Sequence, residues 1–140
     1  MQNEKGRTFM GAKGDAFATQ FEAKVEEATT LLEKLTDADW KKTTAAEKWT
    51  VAVTAHHLAS SYEPATHIIK TIAAGQALPH FTREILDAMN AQHAKEFANC
   101  TKAETNALHT KAAAVAAAAV RGLSDGELAK TGTGVFLRTY

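Results

Sequence analysis

The chain has 140 residues, 45% of them hydrophobic and 23% charged, which is the size and composition of one globular domain. Sixteen basic residues balance sixteen acidic ones, so the charge indicates neither nucleic acid nor an anionic membrane as a partner. The longest apolar run, residues 112–120, is too short to cross a bilayer. The single cysteine, Cys100, excludes an internal disulfide, and these features together favour the cytoplasm.

The N-terminal part predicts a lead-in segment and a first helix. Residues 1–14 are polar, lack the apolar core of a signal peptide, and are expected to be flexible, followed by one helical domain over 15–140. Asp15 is a suitable cap for the first helix. Apolar residues at helical spacing define its predicted buried face: Phe17, Phe21, Val25, Ala28, Leu32 and Leu35. Trp40 follows the polar end of this helix and is expected to fold back over the core.

A second helix is predicted from Thr50, a good N-cap residue, to about Ala74. At about 100° per residue, its larger apolar side chains share one face: Val51, Leu58, Tyr62, Ala65, Ile69 and Ile72. Pro64 lies inside this pattern and should kink the helix. Gly75 should end it.

A third helix is predicted to run without interruption from Phe81 to about Arg121. Its apolar face is Ile85, Leu86, Met89, His93, Phe97 and Cys100. After Gly122, residues 124–127 have the form of a capping box and predict one short turn, and residues 131–140 predict a loop or a short extended piece. Three long helices with short connections indicate an all-α, up-down helical bundle in which the usual fourth helix is short or missing.

The six histidines are the main candidates for chemistry, because the sequence contains no Cys-x-x-Cys, no His-Glu-x-x-His and no phosphate-binding glycine loop. Four are interpreted as surface residues: His56, His67, His80 and His109. His57 lies at the edge of the second helix's apolar face, where a neutral imidazole can bind a metal ion or carry a proton. His93 lies within the apolar face of the third helix and suits either a core residue or a second ligand. Cys100 is interpreted as a small buried hydrophobe rather than a nucleophile.

Several short motifs occur in an order and spacing that are typical of one family. They are Leu-Thr-Asp-Ala-Asp-Trp at 35–40, Trp-Thr-Val at 49–51, His-Leu-Ala at 57–59 and Ala-Gly-Gln-Ala-Leu-Pro at 74–79. Two longer segments, 85–91 and 121–128, fit the same pattern. Over about residues 16–130 the chain resembles the DinB-like family, particularly the N-terminal domain of mycothiol-dependent maleylpyruvate isomerase.

This resemblance implies a four-helix bundle that holds a divalent metal ion such as zinc or nickel, and some members act with a low-molecular-weight thiol. The family histidine after the Trp-Thr motif corresponds to His57. The other family ligands form a pair on the last helix, and the chain ends at Tyr140 before such a pair. We add His93 on packing grounds, so the expected metal ligands are His57 and His93, in an incomplete site.

Three apolar faces without a fourth helix predict an exposed groove, and hence a homodimer in which these faces cover each other. The sequence leaves three functions open. The first is a metal-binding relative of thiol-dependent transferases and isomerases that acts on a small molecule. The alternative is a non-catalytic bundle that self-associates or binds a protein partner, and the third is a small-molecule binder between helices.

Overall fold

The structure is a computed structural model that describes residues 11–132, which form a helical bundle without a regular strand in that range. The helices are α1 (Ala12–Lys34), α2 (Asp37–Trp40), α3 (Val51–Ala73), α4 (Arg83–Glu96), α5 (Lys102–Arg121) and α6 (Asp125–Leu128). The predicted all-α class is confirmed. None of these helices combines the length and apolar character that a membrane span requires. Most of the expected flexible segment 1–14 and most of the expected tail element 131–140 lie outside the described residues.

The first helix begins at Ala12, earlier than the sequence predicted. The prediction that Asp15 caps it is wrong, because Asp15 lies inside the helix and its carboxylate accepts a hydrogen bond from Arg121 Nε at 2.8 Å. Gly14 is buried, and a Cβ atom there would lie 2.6 Å from the carbonyl oxygen of Val120. Glycine therefore lets α1 approach the end of α5 closely.

Both ends of α3 agree with the sequence. The Thr50 hydroxyl accepts the N–H of Val53, and the helix ends at Ala73, shortly before Gly75, whose φ of 70° lies in the left-handed region. The predicted buried face is wrong, because Leu58 and Ile69 are 42% and 36% exposed. The buried side chains are mostly small ones, which allow the neighbouring helix to pack closely: Ala52, Val53, Ala55, His56, Ala59, Thr66 and Ala73.

The predicted uninterrupted third helix is also wrong, because the chain forms α4 and α5 with a turn between them. The Thr101 hydroxyl accepts the N–H of Glu104, and the Glu104 carboxylate accepts the N–H of Thr101. This capping box starts a new helix within the apolar pattern. The helix expected to be short after Gly122 is α6, which has four residues and is capped by Ser124.

The centre of the bundle is α5, which packs against both α1 and α3. It runs antiparallel to α1, since Arg121 at its end pairs with Asp15, and Lys102 Nζ at its start donates to Leu35 O at 2.7 Å. By contrast, α4 packs chiefly against α3, and each of its residues keeps part of its surface exposed.

Trp40 folds back over the core, as predicted, and is 8% exposed. It packs in an apolar cluster with Leu32, Ala52 and Ala55, and its Nε1 donates to Cys100 O at 2.9 Å. This hydrogen bond ties the short α2 to the turn between α4 and α5.

Candidate functional site

Three imidazoles meet where α3 lies against α4. His56 Nδ1 and His93 Nε2 are 3.2 Å apart, and the ring centroids of His57 and His93 are 5.1 Å apart. The two histidines that the sequence selected, His57 and His93, are thus brought together. The interpretation of His56 as a surface residue is wrong, because it is 6% exposed. Together His56, His57 and His93 form the histidine cluster.

Aromatic and hydroxyl groups position the rings of the cluster. Phe97 stacks on His56 at a centroid distance of 3.9 Å, and Trp49 meets His57 edge-on at 5.2 Å. His93 and Phe97 are one helical turn apart, so both reach His56 from the same face of α4. Ser60 donates to His56 O at 2.8 Å, and its Oγ lies 3.2 Å from His56 Nδ1. These contacts limit the freedom of each ring.

The surroundings of His56 and His93 favour the neutral form of both rings. Burial lowers the pKa of His56, although the charges of Glu104 and Glu96 act in the opposite direction. Burial also lowers the pKa of His93, and the neighbouring imidazoles of His57 and His56 lower it further. Neutral imidazoles carry a lone pair that can accept a hydrogen bond or bind a metal ion. At 3.2 Å, one ring of the His56–His93 pair can donate an N–H to the other.

The donor set fits part of a metal site. Zinc binds imidazole nitrogen at about 2.0–2.1 Å in a tetrahedral shell, which places two ligating nitrogens roughly 3.3–3.4 Å apart. The separation of 3.2 Å between His56 Nδ1 and His93 Nε2 is close to that value. Over residues 11–132, however, no group of three or more His, Cys, Asp or Glu side chains is arranged to hold a metal ion. The described chain therefore provides a pair of imidazole donors rather than a full shell.

A surface groove of about 550 Å³ reaches the cluster at His93. Its lining comes from one side of α4: Ile85, Ala88, Met89, Gln92, His93 and Glu96. Ile85 and Met89 make the groove apolar at one end, while polar side chains lie at the other. The groove therefore connects His93 with the solvent.

The remaining sequence candidates lie elsewhere. The interpretation of His109 as a surface residue is wrong, because it is 1% exposed, and its ring lies 5.4 Å from that of Tyr62. Its Nε2 lies 3.4 Å from Val25 O, so it fills the space between α1 and α3. His67 and His80 are exposed, as predicted. Cys100 is half-buried and its Sγ lies 3.5 Å from Ala52 O, in keeping with its interpretation as a small hydrophobe.

Comparison with known proteins gave a family match and no individual relatives. A family model described as the mycothiol maleylpyruvate isomerase N-terminal domain matches residues 21–139. Neither the search of curated proteins nor the search of solved structures returned a match. The matched range contains most of α1, all of α2 to α6 and the entire histidine cluster. The match therefore concerns the helical domain as a whole.

Proposed function

Since the chain belongs to the family of mycothiol maleylpyruvate isomerase N-terminal domains, which is DinB-like, we propose that it is a divalent-metal-binding domain related to thiol-dependent transferases and isomerases. The observation that carries this proposal is the 3.2 Å separation of His56 Nδ1 and His93 Nε2, with His57 beside them. His57 is the residue that corresponds to the family ligand. His56 and His93 supply a close pair of imidazole nitrogens in the same cluster.

The surroundings of the cluster favour this use. The lowered pKa values of His56 and His93 keep both rings neutral near pH 7, so neither has to lose a proton before it binds a cation. Phe97 and Trp49 hold two of the rings in place, which reduces the ordering that binding requires. The site would take zinc or nickel, both of which imidazole ligands suit.

The proposed site is open rather than closed. A pair of imidazoles leaves coordination positions to water or to the thiolate of a low-molecular-weight thiol. A divalent metal ion with an open position lowers the pKa of a bound thiol or water and orients a substrate. The apolar wall that Ile85 and Met89 form beside His93 would bind the uncharged part of such a small molecule.

The test is zinc per chain after loading and gel filtration, measured by elemental analysis on tag-free protein. We expect bound zinc in the wild type and a clear loss of affinity in His56→Ala and His93→Ala, which remove the paired nitrogens, and in His57→Ala, which removes the imidazole beside them. His67→Ala is the matched control, because His67 is an exposed histidine on the same helix as His57. Equal zinc binding by His93→Ala and His67→Ala, or none by the wild type, would refute the proposal.

A second candidate function is a non-catalytic bundle that acts through association. It is favoured by the exposure of Ile85 and Met89 on α4, which are 45% and 53% exposed. Under this alternative the wild type binds no zinc, and His57→Ala changes stability alone. The same zinc measurement therefore separates the two functions.

A further inference from the structure

One turn of α5 contains most of the buried polar side-chain atoms that have no hydrogen-bond partner in the chain. Among the described residues there are four such atoms. Three of them, Thr105 Oγ1, Asn106 Oδ1 and His109 Nδ1, fall within five consecutive residues. Buried polar groups in folded proteins are almost always hydrogen-bonded, so three unpaired atoms in one place indicate a partner that the chain itself does not supply.

The three side chains are neighbours on one face of α5. Asn106 and Thr105 precede His109 by three and four residues, the spacings at which helical side chains meet. Thr105 and His109 are 0% and 1% exposed, so this face is closed to bulk solvent. Side chains at these spacings have Cβ atoms about 5–6 Å apart, and one water molecule with hydrogen bonds of about 2.8 Å on either side bridges such a gap.

The contact of His109 with α1 determines which ring nitrogen needs a partner. Its Nε2 lies 3.4 Å from Val25 O, and because a carbonyl oxygen can only accept, Nε2 carries the proton. A neutral ring with its proton on Nε2 has a lone pair at Nδ1 and accepts a hydrogen bond there. Asn106 Oδ1 is also an acceptor, whereas the Thr105 hydroxyl can donate. The face therefore presents two acceptors and one donor.

The neighbouring helix α3 does not satisfy these atoms. α3 and α5 run parallel, since the first turn of α3 contacts the residue that precedes the N-cap of α5. Further along, the rings of Tyr62 and His109 lie 5.4 Å apart. Ala59, which is 0% exposed, lies one turn before Tyr62, as Thr105 lies one turn before His109. An alanine methyl is small and has no polar atom, so α3 supplies no hydrogen bond here and fills little of the volume beside the Thr105 hydroxyl.

We propose that α5 holds one internal water molecule between Thr105, Asn106 and His109. The water donates to His109 Nδ1 and to Asn106 Oδ1, and it accepts the hydrogen of the Thr105 hydroxyl. Each of its bonds thus matches one of the three unpaired atoms. Three hydrogen bonds are the usual number for a buried water, and such a water is part of the folded structure. The proposal concerns the centre of the bundle and does not depend on metal binding at the histidine cluster.

The direct test is a crystal structure of the full chain at a resolution that shows ordered water. We expect one water within about 2.7–3.2 Å of Thr105 Oγ1, Asn106 Oδ1 and His109 Nδ1. A structure with no density between the three atoms would overturn the proposal. Direct hydrogen bonds among the three side chains, or from them to other protein groups, would overturn it as well.

Urea denaturation with EDTA present gives a second readout, because the sign of one substitution depends on the water. Thr105→Val keeps the shape of the side chain and removes its hydroxyl. If the hydroxyl donates to a water, the denaturation midpoint falls, whereas removal of an unpaired buried hydroxyl raises it. Thr66→Val is the matched control, since Thr66 is 7% exposed and its hydroxyl donates to Tyr62 O at 2.7 Å.

We expect Thr105→Val to lower the midpoint by about as much as Thr66→Val, because each change removes one satisfied hydroxyl from a buried face of a helix. Circular dichroism confirms that both variants are folded. A midpoint of Thr105→Val that equals or exceeds that of the wild type would overturn the proposed water site.

Discussion

Two consecutive helices of this domain are stabilised in different ways. α5 lies at the centre of the bundle and buries a face of small and polar side chains, Thr105, His109, Ala113, Ala116 and Ala117, against its neighbours. α4 lies on the outside of α3 and is held by the contact between His93 and His56 and by the stacking of Phe97 on His56. Only the turn at 97–101 separates the two helices in sequence.

The difference indicates that the domain consists of a tightly packed unit and one helix that is held by fewer contacts. Alanine faces allow helix backbones to approach closely, so α1, α3 and α5 form a tightly packed unit in which added volume is poorly tolerated. The contacts of α4 with the other helices are few, so we expect α4 to detach locally without loss of that unit. The histidine cluster lies at the boundary, with His56 and His57 on α3 and His93 on α4. Its geometry therefore depends on whether α4 is docked.

The largest expected effect is the loss of stability when a larger side chain is placed in the buried face of α5, compared with the same change on α4. Ala117 on α5 is 3% exposed, and Ala117→Leu should lower the free energy of unfolding by about 1–3 kcal/mol through overpacking. Ala91→Leu makes the same change at an exposed position of α4 and should stay within about 0.5 kcal/mol of the wild type. Urea denaturation measures both. Equal losses in the two variants would show that α4 is packed as tightly as α5.

The break between α4 and α5 can be tested at Thr101, the N-cap residue of α5. Thr101→Ala removes the hydroxyl that accepts the N–H of Glu104, and should lower the free energy of unfolding by about 1 kcal/mol. Thr110→Ala is the matched control within α5, where Thr110 is exposed and alanine is the better helix former. Hydrogen exchange should show faster exchange at the first turn of α5 in Thr101→Ala alone. Unchanged exchange at the first turn of α5 would show that the capping box does not determine where this helix begins.

The features that the sequence predicted correctly have local causes. Thr50 starts α3 and Gly75 ends it through hydrogen bonds to residues a few positions away. The break before α5 also has a local cause, the Thr-x-x-Glu pattern beginning at Thr101, but the apolar periodicity runs through it and suggested one helix. In this case a capping signal should have outweighed periodicity.

The site was predicted only in part, because its key contact joins distant parts of the chain. His57 and His93 were selected, yet the closest pair is His56 and His93, whose pairing depends on how α3 and α4 cross. The orientation of α3 was assigned from its largest apolar side chains, whereas packing buried its alanines. Ala52 and Ala59 are one turn from His56 on either side, and this alanine line was the available signal for its burial.

The smallest expected effect is a dependence of stability on pH that originates at the contact between α3 and α4, where His56 meets His93. Burial lowers the pKa of both His56 and His93 below the ordinary value of about 6.5 that applies in the unfolded chain. As the pH falls through about 6.5, the unfolded chain binds protons that the folded chain does not, so the free energy of unfolding decreases. The decrease ends once the pH is below the folded pKa values, where both states are protonated.

Urea denaturation at a series of pH values, with EDTA present, measures this slope. His93→Gln removes one of the two groups and should flatten the slope between neutral and mildly acidic pH, whereas His67→Gln, at an exposed position, should leave it unchanged. Hydrogen exchange at the lower pH should show that α4 loses protection before α5, because protonation of both His56 and His93 places like charges across the contact that docks α4. Loss of protection in both helices at the same pH would contradict the division of the domain into a packed unit and a docked helix.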